Sequence, residues 1–102
     1  MMFMNEYDID CAAHRVGHLP NLGAAVTTIA NLRDWANQHS DGWAYWPKPV
    51  RAAEKLMVLI ESADRFDPED VTAEAYAAAV RPIKAFRTRQ GADFVIADPV
   101  RV

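Results

Sequence analysis

Three observations predict that this chain of 102 residues folds as a small all-α bundle. Apolar residues recur at three- and four-residue spacing over most of its length, Pro and Gly interrupt that pattern at a few short segments, and strand character is confined to Phe94-Val95-Ile96. The expected architecture is a short N-terminal helix plus three main helices, the last kinked or ended at Pro82, followed by an extended C-terminal tail. With 51% apolar and 25% charged residues, four Gly and six Pro, the composition is that of one folded domain, residues 1–102, and not of a disordered chain. At 11.4 kDa such a chain buries roughly 65% of the surface its unfolded form exposes, which supports one modest core.

The first helix is expected over residues 5–16. Asn5 can cap it, Glu6 and Asp8 suit its first turn, and Ile9, Ala12, Ala13 and Val16 follow helical spacing. Gly17 can end it in the left-handed conformation. Pro20-Asn21 marks a turn or a new start, after which Leu22, Val26, Ile29, Leu32 or Arg33, and Ala36 give one apolar face to about His39. Asp41-Gly42, Pro47 and Pro49 make residues 40–48 an interruption. Pro49 suits the first turn of a third helix whose stripe is Val50, Ala53, Leu56, Met57, Ile60 and Ala63, with Glu61 and Arg65 spaced to pair. Asp67-Pro68-Glu69-Asp70, with Thr72 as a competing cap, opens an Ala-rich helix over residues 73–81. Two continuations follow Pro82. A kinked helix carries Ile83, Phe86 and the basic residues on to Gly91; the alternative is a hairpin around Gln90-Gly91-Ala92-Asp93. The kinked helix is favoured, and in either case Phe94 to Val102 lies over the bundle with Pro99 limiting any strand.

The net charge of −3 conceals an asymmetry. Residues 1–46 carry five acids (Glu6, Asp8, Asp10, Asp34, Asp41) against Arg15 and Arg33, and the remainder balances. Glu61, Asp64, Asp67, Glu69, Asp70 and Glu74 are opposed only by Arg65, whereas Arg81, Lys84, Arg87 and Arg89 follow as a basic stripe. Such blocks commonly dress solvated helix faces and complement the helix dipole. No apolar run reaches the roughly 18 residues of a membrane span and the N-terminus has no signal-peptide pattern, so a cytoplasmic location is expected.

Catalytic readings find little support in these residues. Cys11 is the only cysteine, which excludes an intrachain disulfide and a multi-thiolate zinc site. Cys11, His14 and His18, with His39 or Asp10 as a fourth ligand, form the best metal set, but Gly17 interrupts the helix before His18 and the plainer reading is a small buried thiol beside two imidazoles. A Cys11 nucleophile activated by His14 or His39 lacks an orienting acid and a Gly-rich oxyanion loop. Glu61 with Asp64 and Glu69 with Asp70 read as exposed acids, and Glu54, Glu61 and Glu74 are too sparse for a magnesium-dependent helical pyrophosphohydrolase. No Gly-rich phosphate cradle is present. Neither an enzyme nor a cofactor is expected.

The unusual segment runs from Asn37 to Pro49. Trp43, Tyr45 and Trp46 fall within four residues of a stretch that cannot be regular helix. One reading is a recognition surface, since Trp and Tyr are enriched at binding hot spots and prolines reduce the entropy lost on holding a loop. The other is that the rings fold back to plug the end of the bundle. Asn31-Leu32-Arg33-Asp34-Trp35-Ala36-Asn37, then Ser40-Asp41-Gly42-Trp43-Ala44-Tyr45-Trp46-Pro47-Lys48-Pro49 and Arg51-Ala52-Ala53, resemble small proteins encoded by phages of actinobacteria. The resemblance covers about a fifth of the chain and implies a source, a phage protein acting in the bacterial cytoplasm, and no activity.

The function expected from these features is a non-enzymatic interaction protein that binds a host or phage protein through Trp43, Tyr45, Trp46, Lys48 and Arg51, or self-associates as a homodimer to complete its core. The alternative is a nucleic-acid-binding accessory protein that uses the aromatic-basic loop with Lys55, Arg81, Lys84, Arg87 and Arg89.

Overall fold

Burial of one apolar face per helix organises the fold. A computed structural model describes residues 6–16, 20–39, 47–65 and 73–98, with four helices in the order α1 (Glu6–Val16), α2 (Pro20–Gln38), α3 (Pro47–Arg65) and α4 (Ala73–Gln90). Among the described residues there is no strand, and the fold is the small all-α bundle that the periodicity predicts. No described helix is long and apolar enough to cross a membrane. Most of the expected stripe residues are buried: Ile9, Ala12 and Val16 on α1, Leu22, Val26, Ile29, Leu32 and Ala36 on α2, and Val50, Ala53, Leu56, Met57 and Ile60 on α3; Ala13 is half-buried, and the side chain of Ala63 lies outside the described residues. α3 packs most extensively against α4, and α1 lies across α2 and α3.

Two boundaries differ from expectation. α3 begins at Pro47 and not at Pro49, so Lys48 belongs to its first turn instead of the preceding loop. The physical reason is that the first four amides of a helix have no intrahelical acceptor, so a proline at either position sacrifices no hydrogen bond. Pro20 is likewise the first residue of α2.

The second difference is at Pro82. α4 runs through it without ending, which removes the hairpin alternative. An interior proline costs about 3 kcal/mol, whereas burying a Val, Ile or Phe side chain contributes about 1.5–3 kcal/mol each. Val80, Ile83 and Phe86 are all buried on the face that spans Pro82, and together they outweigh the lost bond. Gly91 then ends α4 at φ 67°. Its left-handed conformation lets the Ala92 amide donate to the Arg87 carbonyl at 3.0 Å, the six-to-one bond of a glycine-terminated helix.

Beyond Gly91 the described tail, to Asp98, lies over α2 and α4 as expected. Phe94 is buried, and its ring, those of Trp35 and Phe86, and the His39 imidazole form one cluster: Trp35 meets Phe86 at 5.7 Å, Phe94 at 5.6 Å and His39 at 4.2 Å between centroids. Polar contacts from α2 and α4 hold the tail backbone. Asn31 Nδ2 donates to the Val95 carbonyl at 2.9 Å, Arg87 Nη1 donates to the Phe94 carbonyl at 3.3 Å, and the Ala97 amide donates to Thr28 Oγ1 at 3.1 Å.

The last of these closes a ring. Tyr76 has a single phenolic hydrogen, and it is donated to the Ala97 carbonyl. The 2.7 Å contact between Thr28 and Tyr76 therefore has Thr28 as donor. Thr28 gives to Tyr76, Tyr76 to the Ala97 carbonyl, and the Ala97 amide back to Thr28, so each hydroxyl both donates and accepts. Burial pushes the Tyr76 phenol above its ordinary range, the Thr28 hydrogen bond opposes that rise, and the Asp98 carboxylate adds to it.

Tyr76→Phe leaves the Ala97 carbonyl and Thr28 hydroxyl without their partner and is expected to cost about 1–3 kcal/mol. Urea unfolding should report that loss, and hydrogen exchange at the Ala97 amide should quicken. Because the folded phenol holds its proton more tightly than the unfolded one, its contribution is present below about pH 10 and is lost as pH rises through the folded value. Unfolding curves at about pH 9 and about pH 11 should show a drop in the wild type that is smaller in Tyr76→Phe.

Candidate interaction surface on α3

The outward face of α3 departs from what stability alone would choose. Its first turn contains Lys48 and no acid, with Arg51 following one turn on. Cations at the positive end of a helix dipole cost roughly 0.3–1 kcal/mol each instead of contributing it. Lys48, Arg51, Lys55 and Val58 are all exposed and recur at three- and four-residue spacing, so they share one side of the helix. Val58 is 59% exposed, an uncommon value for a large apolar side chain at the middle of a well-packed helix.

Arg51, Lys55 and Val58 border an open groove of about 640 Å³ between α3 and α4. Its α3 side carries Arg51, Glu54, Lys55, Val58 and Leu59, and its α4 side consists of Ala75, Ala78 and Ala79. The alanines leave α4 with no side chain that reaches beyond its Cβ here, which is why the groove exists. The surface is apolar along its floor and cationic along one rim.

On the other flank of α3 a cleft of about 360 Å³ is lined by Tyr7, Asp8, Cys11 and Arg15 of α1 with Met57 and Glu61 of α3. Tyr7 is 74% exposed. Its phenol is held above the ordinary range, first by the neighbouring Cys11 thiol and then by the charge of Asp8.

The expected site residues divide as follows. Trp43, Tyr45 and Trp46 lie outside the described residues, as does His18. Lys48, Arg51 and Lys55 are brought onto one exposed face. Arg81, Lys84 and Arg89 are exposed on α4, whereas Arg87 is half-buried and directs Nη1 to the Phe94 carbonyl. At about 100° per residue, Arg89 points roughly 160° away from Arg87, so the four cations wind around α4 and do not form a single stripe. Cys11 is half-buried and His14 exposed, both on a shallow recess of α1, while His39 stacks on Trp35 at the end of α2, Nδ1 donating to the Trp35 carbonyl at 2.8 Å. Among the described residues no three His, Cys, Asp or Glu side chains are grouped to hold a metal ion.

Val58, Leu59 and the α4 alanines were not expected at the site. A signal for Val58 was present, because it lies off the stripe formed by Val50, Ala53, Leu56, Met57 and Ile60. No such signal marks the alanines, whose role depends on which helix faces them. Comparison with protein-family models, curated proteins and solved structures gave no match.

If Val58 serves the surface and not the core, Val58→Ser should change stability by less than about 0.5 kcal/mol. Leu56→Ala, at a fully buried position two residues earlier, should cost about 2–5 kcal/mol. Chemical denaturation of the two variants measures the contrast.

Proposed function

We propose that this chain is a small non-enzymatic interaction protein that presents the loop before α3 and the outward face of α3 to a protein partner. The observation that carries the reading is the combination of exposed Val58 with Arg51 and Lys55 along an apolar groove. An exposed apolar side chain beside Arg51 and Lys55 suits a partner with an apolar ridge flanked by acids. Trp43, Tyr45 and Trp46 immediately precede this face in sequence and supply the residue types that dominate binding hot spots. The resemblance of residues 31–53 to small phage proteins makes a host or phage protein in the bacterial cytoplasm the expected partner.

Affinity capture from a bacterial host extract tests the reading, with wild type beside Trp43→Ala/Trp46→Ala and Arg51→Glu/Lys55→Glu variants of unchanged helicity. A retained protein that is lost with both variants, and that then binds the purified wild-type chain, is the expected result. Retention indifferent to both sets of substitutions overturns it.

A nucleic-acid role draws on the same cations but requires them to outweigh a net charge of −3. Backbone binding of that kind is electrostatic and strongest at low salt. Single- and double-stranded DNA are therefore expected to leave the protein unshifted in an electrophoretic assay at about 50 mM salt.

A further inference from the structure

We infer that the tail, residues 92–98, is a releasable strap seated in a peptide-binding groove between α2 and α4, and that with the strap lifted this groove takes an extended segment of a partner protein built like the tail, with an aromatic side chain at the position of Phe94. The groove grips the tail as it would grip a ligand. Thr28 and Asn31 of α2 and Tyr76 and Arg87 of α4 all make their bonds to main-chain atoms of the tail: the Phe94, Val95 and Ala97 carbonyls and the Ala97 amide. Contacts of that kind hold an extended backbone without reading its side chains, and side-chain pockets then supply the selectivity. Here the pocket is aromatic, since the Phe94 ring is buried against Trp35 and Phe86 at centroid distances of 5.6 and 6.5 Å. The next residue, Val95, is 63% exposed, so its position is open to any side chain. None of these groups lines the groove beside α3.

Two features make the strap releasable. It is joined to α4 by one left-handed residue, Gly91, and space is open around that hinge, where an added Cβ would meet no described atom within 4 Å. The strap also does not fill the space it lies in, because a cleft of about 210 Å³ remains between it and α2, lined by Asn31, Trp35, Phe94 and Val95. One buried ring and a few hydrogen bonds must therefore offset the ordering of the whole tail backbone, a balance that belongs to the low end of local stability. Lifting the strap keeps the four helices packed on one another. It leaves the Thr28 and Tyr76 hydroxyls, the Asn31 amide and the Arg87 guanidinium to water, beside an aromatic pocket emptied of its ring. That is a complete set of partners for an incoming main chain and its anchor. While the strap is down it competes for the same groups, so the apparent affinity for an incoming segment is reduced by the fraction of molecules that are open.

A fluorescent peptide of residues 92–98, titrated with the full chain and read by anisotropy, tests this. Phe94→Ser in the protein removes the strap's own anchor, so the peptide should bind that variant at least about tenfold more tightly than wild type, whose strap competes. The same peptide carrying Phe94→Ser should bind neither protein. Ala97→Pro removes the amide donated to Thr28 and keeps Phe94; it should tighten peptide binding in the same direction, and it replaces Phe94→Ser if that variant loses helicity. In wild type the Ala97 amide should exchange with deuterium at least about tenfold faster than the Ile29 and Ile83 amides, because the strap opens while the helices hold. A peptide that binds neither variant, that binds wild type as tightly as the variants, or that binds as well without its phenylalanine overturns the proposal. So does an Ala97 amide that exchanges no faster than those of Ile29 and Ile83.

Discussion

The ring of hydrogen bonds through Thr28, Tyr76 and Ala97 is the constraint on which the rest of the arrangement depends. Thr28 is the one buried polar side chain among the described core residues. A hydroxyl buried without a partner costs about 1–3 kcal/mol, so Thr28 on α2 is tolerated only if α4 delivers Tyr76 and the tail delivers Ala97 to the same point. That requirement fixes three separate segments relative to one another. It sets where the tail crosses, which places Phe94 against Trp35 and Phe86 and directs Arg87 toward the tail backbone. One of the four cations read as a basic stripe is thereby drawn into holding the fold.

The same constraint shapes the surface. With its Tyr76, Ala79, Val80, Ile83 and Phe86 face committed to the core and tail, α4 turns its small residues toward the outer side of α3. Large side chains at those positions would fill the space beside Val58 and Leu59. Alanines leave it open, and an open apolar groove in a chain of this size is area that the monomer has not buried. Arg51 and Lys55 lie along its rim, and Lys48 stands in the first turn, where a cation opposes the local helix dipole.

Most of the fold was legible because helical periodicity is written residue by residue. The stripes on α1, α2 and α3 needed only spacing. The start of α3 was misplaced by two residues because two prolines in a row of three look like a break, while the tolerance of a first turn for them depends on where the amides would have pointed. Passage of the helix through Pro82 was decidable only by weighing one lost bond against three buried side chains, a balance that requires knowing what α4 packs on. Thr28 and Tyr76 gave no warning, being 48 residues apart in sequence and closed by a backbone group of a third segment. At the candidate site Lys48, Arg51 and Lys55 were legible as charges, but the groove along which Arg51 and Lys55 align with Val58 arises only once α4 is in place.

Charge order along a helix carries information that net charge does not. α3 is nearly neutral as a whole, yet its exposed residues run from Lys48, Arg51 and Lys55 through Val58 to Glu61. In a helix graded in this way the side-chain charges repeat the signs of the backbone dipole at either end, which is unfavourable in isolation. A protein partner that brings acids to the N-terminal half of α3 and an apolar residue to Val58 would relieve that arrangement.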